Sequence, residues 1–219
     1  MALLNKTFRE PISGLTHLAG ALLSVLGTLG LLLPAIQSGS VLHLATFSVF
    51  GASLTGLYSA SSAYHLLRVS EPAMRWLRRL DHTMIYFLIA GTYTPVCLIA
   101  LRGAWGWSLF AVIWTLALAG SLLTLFYLNK PRWLTTGIYI LMGWLVVVAM
   151  APLMQRLPAA GLFWAVLGGL LYSGGALIYA TKRPNWLPGV FGFHELWHLF
   201  VLAGSAAHFI MVYAVIRFL

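Results

Sequence analysis

The stretch from Pro11 to Leu67, PISGLTHLAGALLSVLGTLGLLLPAIQSGSVLHLATFSVFGASLTGLYSASSAYHLL, contains no Lys, Arg, Asp or Glu. A helix needs about 20 apolar residues to cross a bilayer, so this run has room for two. The polar, turn-forming segment Gln37-Ser38-Gly39-Ser40 divides it and places spans at 14–36 and 41–66. Uncharged runs farther along give spans at 82–101, 105–128, 134–154 and 161–181. A last run, broken inside only by Glu195, gives a seventh at 194–217. In lipid only helices and closed barrels satisfy their own backbone, and apolar runs this long without alternation are helices. The expected fold class is an all-α membrane protein, one seven-helix transmembrane bundle over residues 1–219.

Composition agrees. Of 219 residues 61% are hydrophobic and 8% charged, against roughly 25% charged in soluble domains. That excludes soluble, collagenous, disordered and disulfide-scaffold classes. Cys97 is the one cysteine, so an internal disulfide and a Cys-based metal site are both excluded. Lys6 and Arg9 resemble the start of a signal peptide, but the apolar stretch behind them runs about 23 residues, beyond the usual 7–15. The first span is therefore expected to be retained.

The net charge of +9 is unevenly placed. Lys6, Arg9, Arg68, Arg75, Arg78, Arg79, Lys130, Arg132, Lys182 and Arg183 fall on the N-terminal side of the expected topology, and only Arg102, Arg156 and Arg217 on the other. Bases concentrate on the cytoplasmic face, which predicts a cytoplasmic N-terminus and an external C-terminus. The charge then reads as a topology signal with contacts to anionic lipid heads, not as a nucleic-acid surface. Between Arg68 and Leu80, bases alternate with Met74, Trp76, Leu77 and Leu80 at helical spacing, which predicts a short interfacial helix on the inner leaflet.

Ionisable residues inside a membrane are costly and mark function. All four acids, Glu10, Glu71, Asp81 and Glu195, fall on the N-terminal side, as do His17, His65, His82, His194 and His198. His194 and His198 are four residues apart, one helical face with about 6 Å of rise between them, a fair bite for one zinc ion. His65 ends the second span at the same expected depth and is the natural third ligand. Three histidines leave an open tetrahedral position for water, the pattern of catalytic zinc. Asp81 at the start of the third span would accept or orient a proton. Ser61, one turn before His65, would hold that water or a ligand ring. His17, His43 and His208 are expected to hydrogen-bond between helices, and His82 to be interfacial or to support the site. An ion pair of Asp81 with Arg78 or Arg79 is the structural alternative. His194 to His198 also fits H-E-x-x-H, in which Glu195 would be a metalloprotease base; a solvated Glu195 stands beside that reading. Pro95 is expected to kink the third span, and Gly168-Gly169 and Gly174-Gly175 to permit close helix contact.

These residues, in this order, resemble the progesterone and adipoQ receptor superfamily, specifically its bacterial hemolysin III branch. Glu10-x-x-Ser13-x-x-x-His17 matches the first family motif, Ser61-x-x-x-His65 with Asp81 the second, and His194-x-x-x-His198 the third. Asp81-His82-Thr83 through Pro95 and Phe191 through Ser205 look like that branch. The resemblance runs from about Glu10 to the end. It implies Zn2+ held by His65, His194 and His198, with Asp81 acting through water, and a bacterial inner-membrane location. Adiponectin receptors and the more distant alkaline ceramidases in this superfamily imply hydrolysis of lipid amide bonds. The adiponectin receptors carry Gln at the position of Glu195, so the family site does not require that carboxylate. The first expectation is a zinc-dependent hydrolase of membrane lipid amides or esters. The alternatives are a sensor or regulator of membrane lipid homeostasis with structural zinc, and a pore-forming hemolysin.

Overall fold

The computed structural model describes residues 7–127, 131–187 and 190–219, with only the backbone described at Arg132. Lys6, Lys130, the Arg132 side chain and the expected end of the fourth span at Leu128 lie outside these residues. Among the described residues seven helices are long and apolar enough to cross a membrane, and no strand forms. They are α1 (Pro11–Gln37), α2 (Val41–Leu66), α3 (Glu71–Leu101), α4 (Gly103–Phe126), α5 (Trp133–Arg156), α6 (Ala159–Thr181) and α7 (Phe193–Phe218).

Local signals explain the ends. Pro11 opens α1, where a missing N–H is harmless. Gly39, at φ +65°, closes the α1–α2 turn in the left-handed region, and Ser40 caps α2 by accepting from the His43 N–H. The α1–α2, α2–α3 and α6–α7 pairs pack most closely, and α1 also meets α7. The glycines of α6 act as expected. A Cβ on Gly175 would lie 2.7 Å from the Phe200 Cβ and 3.0 Å from the Trp197 ring, so α7 approaches through the missing side chain.

Three features differ from, or refine, the sequence reading. The expected interfacial helix over 68–80 is not separate: α3 starts at Glu71 and runs unbroken through it. Ser70-Glu71-Pro72 supplies the start signal and no breaker follows before Pro95, so the helix outruns the uncharged segment on which its expected start rested. Trp76 and Leu80 lie exposed along these first turns. At Pro95 the α-helical pattern gives way to wider π turns over Val96–Leu101, because proline cannot donate to the ladder. In α5 the ladder breaks at a 3-10 segment, Leu145–Ala149. Tyr93 of α3 causes this: its hydroxyl accepts from the Val146 N–H at 2.8 Å and faces the carbonyls of Gly143 and Met142 at 2.8 and 3.0 Å. A side chain inserted into the ladder satisfies backbone groups that lipid could not. α3 is the most buried of the seven helices and α5 the least.

Candidate metal centre

α2 carries His65 at its last turn and α7 carries His194 and His198 at its first two. One ring nitrogen of each lies within 4.8 Å of the others, close enough to hold a metal ion. The Nε2 atoms of His65 and His194 are 3.5 Å apart. A tetrahedral shell with metal–nitrogen bonds of about 2.0–2.1 Å sets its donors roughly 3.4 Å apart, so this spacing fits one ion. His65 and His198 are almost fully buried, at 1% and 2% exposure.

Glu10, just before α1, and Ser13 in its first turn set the tautomers. The Glu10 carboxylate faces Nδ1 of His65, and the Glu10 N–H donates to the His65 carbonyl at 2.9 Å. A carboxylate only accepts, so Nδ1 carries the proton and Nε2 is left as a lone pair. The Ser13 carbonyl does the same for His198, accepting from Nδ1 at 3.2 Å. Each bond leaves the Nε2 of a buried ring as the lone-pair nitrogen, the kind of donor a metal takes. Burial by itself would raise the Glu10 pKa; the His65 hydrogen bond and the neighbouring Arg9 outweigh it and hold the carboxyl below its usual value.

Glu195 faces a different task. Its Oε2 accepts from the Gly192 N–H at 2.8 Å, capping α7, and its Oε1 accepts from the Ser13 hydroxyl at 3.1 Å. Both oxygens are engaged in holding α7 to its own start and to α1.

His194 and His198 face a cavity of about 170 Å³ whose wall also includes His17, Ser61, Asp81, Arg78 and His82. Ser61 is buried, and the Asp81 side chain is 13% exposed. Among the described residues Asp81 meets His82 Nδ1 at 3.5 Å, and no ion pair joins it to Arg78 or Arg79. His82 donates from Nδ1 to the Arg78 carbonyl at 2.8 Å. The rest of the wall is mixed: Leu57, Ile85, Leu88, Ile89 and Val201 stand beside Thr92, Thr136, Tyr139, Tyr172 and Ser173, and it includes Trp144 and His208.

The outlying histidines divide. His208 bonds between helices as expected, Nε2 donating to the Ala165 carbonyl of α6 at 3.1 Å. His43 bonds locally, to the Ser40 hydroxyl at 2.7 Å, because it sits one turn from the α2 cap. His17 packs against α7, its ring stacking on that of His198 at 3.8 Å. The resemblance grouped Glu10, Ser13 and His17 in one motif, but the sequence reading gave a task only to His17. Ser13 and His17, four residues apart, share one face of α1, and Glu10 stands just before its first turn.

The family model described as haemolysin-III related matches residues 5–209. Hemolysin-3 of Bacillus cereus is 41% identical over 93% of this chain and 90% of its own length. A hemolysin-3 homolog of Bacillus subtilis is 38% identical over 94% of each chain. More distantly, an adiponectin receptor protein of Drosophila melanogaster is 29% identical over 74% of this chain and 41% of its own length. Seven spanning helices, a three-histidine cluster at one end of the bundle and these relatives agree: the chain is a multi-pass membrane protein of the haemolysin-III-related family, within the progesterone and adipoQ receptor superfamily.

Proposed function

We propose that the protein is a zinc-dependent hydrolase of membrane lipids, acting on an amide or ester bond in the half of the bundle that faces the cytoplasm. One observation carries this reading: Asp81 and Ser61 stand in the wall of the same cavity as His194 and His198, and most of the surface of that cavity is apolar. His65, His194 and His198 would hold the ion. Zinc, when bound, supplies a Lewis acid for a carbonyl and brings the pKa of water to about 7. The all-nitrogen donor set suits zinc.

The chain's own groups supply the rest. Asp81, not ion-paired with Arg78 or Arg79, takes up the proton released as water adds to the carbonyl and returns it to the amine nitrogen or alcohol oxygen as the C–N or C–O bond breaks. Ser61 orients the reacting group from one turn before His65. Leu57, Ile85, Leu88 and Ile89 exclude bulk water and receive the hydrocarbon. The excess of bases at the histidine end supports a cytoplasmic placement of that end, with the N-terminus, in a bacterial inner membrane. Arg75, Arg78 and Arg79 along the first turns of α3 then meet anionic lipid heads.

The test is turnover of long-chain acyl amides, ceramide-like lipids and glycerolipids by reconstituted, zinc-replete protein. Hydrolysis that disappears in Asp81→Ala while zinc remains supports the proposal; no turnover of any class overturns it. The second reading is a sensor or regulator with structural zinc. It is favoured by the way the cluster ties α2 to α7 through contacts from Glu10 and Ser13. It predicts that Asp81→Ala keeps function while zinc loss lowers thermal stability.

A further inference from the structure

Among the described residues Arg78 is the one arginine in the wall of the cavity. It stands there beside Asp81 and His82, yet among the described residues its guanidinium forms no ion pair. The chain has four acids. Glu10 is engaged by Arg9 and His65, Glu195 by Gly192 and Ser13, and Asp81 faces His82. The fourth, Glu71, lies about two turns earlier in α3. Neighbouring arginines are occupied: Arg79 lies over the Trp76 ring at 5.1 Å, and Arg68 donates to the Phe8 carbonyl at 2.8 Å. Arg78 is also exposed, so its donors are open to a bound molecule.

The inner face of α3 has a chemical order. Arg78, Asp81, His82, Ile85, Leu88 and Ile89 recur at helical spacing, and all of them line the cavity that His194 and His198 face. From the start of the helix a positive charge comes first, then a carboxylate and an imidazole, then hydrocarbon. Arg78 and Asp81 are separated by about 4.5 Å along the helix axis. A glycerophospholipid carries its groups in a matching order: phosphate, ester carbonyl, acyl chain, with only the glycerol link between phosphate and ester. A lipid with an uncharged head offers nothing to the first position. A guanidinium is the group suited to it, because its planar fork donates parallel N–H bonds to phosphate oxygens. Apolar walls behind it make that charge count for more than on an open surface.

We propose that Arg78 is the specificity-determining residue for the lipid head: its guanidinium binds the phosphate of a glycerophospholipid whose ester carbonyl lies at the histidine cluster. This deepens the hydrolase reading and rests on it for the bond that is cut. Water adds to the ester carbonyl and the C–O bond to glycerol breaks. The proton passes through Asp81 to the glycerol oxygen, and a fatty acid and a lysophospholipid leave. Arg75, about one turn earlier and outside the wall, carries the same charge without that role.

The experiment compares full-length, zinc-loaded wild type with Arg78→Gln, Arg78→Lys and Arg75→Gln in uncharged detergent micelles. One readout is the ratio of kcat/KM on phosphatidylglycerol to that on diacylglycerol with the same chains. The other needs no turnover: affinity for the ether-linked, non-hydrolysable analogues of those two lipids. Wild type is expected to favour the phosphate-bearing lipid by about 10-fold in both readouts. Arg78→Gln should lose the preference, Arg78→Lys should regain part of it, because lysine keeps the charge without the fork, and Arg75→Gln should keep it. Equal turnover of the two lipids by wild type, or a preference that survives in Arg78→Gln, would overturn the proposal and leave the hydrolase reading standing. Turnover confined to acyl amides would do the same. A preference lost equally in Arg75→Gln would also overturn it, making the effect a general attraction of anionic lipid. Inorganic phosphate binding as tightly as the ether phospholipid would assign Arg78 to free phosphate and overturn the lipid source. If no lipid is hydrolysed, the ether analogues decide alone. A preference that depends on Arg78 then upholds the phosphate contact while the hydrolase reading falls, and no preference ends both.

Discussion

The Glu10 carboxylate accepts the Nδ1–H of His65 from across the α1–α2 junction. That contact makes an exposed-end acid part of a buried cluster. It fixes which nitrogen of His65 carries the proton and turns the other toward His194. Partners of this kind contribute about 10- to 100-fold to metal affinity. Glu10→Ala is expected to weaken metal binding within that range, and Glu10→Gln less, since an amide oxygen still accepts. Competition against a chromophoric chelator measures both.

Metal content per chain should fall from near one to near zero in His65→Ala, His194→Ala and His198→Ala, and stay near one in Asp81→Ala. Mass spectrometry of the purified proteins reads this directly. A metal that binds only the folded chain stabilises it by about 2.7 kcal/mol at one hundred times its Kd. Chelation should therefore lower the melting temperature of wild type and leave the three histidine variants unmoved.

Acid should weaken the α1–α2 junction. The Glu10 pKa is lower in the folded chain than its ordinary 4.5. A group of this sign contributes its stability above the unfolded pKa and loses it as pH falls through the folded one. Melting temperature measured against pH should show wild type above Glu10→Gln at neutral pH. The gap should hold down to the ordinary carboxylate range and close below it. A gap that widened with acid would contradict the assignment.

Glu195→Gln is expected to retain metal and turnover, because both carboxylate oxygens already serve the α7 cap and the Ser13 hydroxyl, and an amide oxygen can still accept from either. Loss of turnover with metal retained would revive Glu195 as a general base. Steady-state kinetics beside the metal assay separates the two.

Tyr93→Phe should destabilise the bundle by about 1–3 kcal/mol, the usual cost of leaving buried backbone groups unsatisfied. The lesion should sit in α5, where Val146, Gly143 and Met142 lose their shared partner. Hydrogen exchange over Gly143–Ala149 should quicken while α1 and α2 remain protected.

The seven helices were legible because a bilayer requires long uncharged runs, and those runs survive in the composition of any spanning chain. The histidine cluster was legible in part for the same reason: His65 and the His194–His198 pair end up at one depth once the helices are placed. Other features depend on contacts between residues far apart in sequence, and no window along the chain carries them. The 3-10 break in α5 is made by Tyr93, some 50 residues earlier. The orientation of His198 depends on a carbonyl of Ser13, whose side-chain identity says nothing about its backbone. Glu195 sits inside a metalloprotease-like pattern, yet its local bond to Gly192 puts it to work as a cap. The expected interfacial helix and the third span read as two elements because charge separates them, whereas the bases from Arg75 to Arg79 do not interrupt the single helix that starts at Glu71.

The separation of the ligands along the chain also orders the protein's biosynthesis. Glu10 and His65 are 55 residues apart and can meet as soon as α1 and α2 have been inserted as a hairpin. His65 and His194 are 129 residues apart, and at roughly 5–20 residues per second the ribosome needs about 6–26 s to bridge that gap. Throughout that interval His65 is oriented and has no companion ligand. An ion held by all three histidines can therefore load only after α7 has been made, and a chain truncated before α7 would lack two of the three candidate ligands.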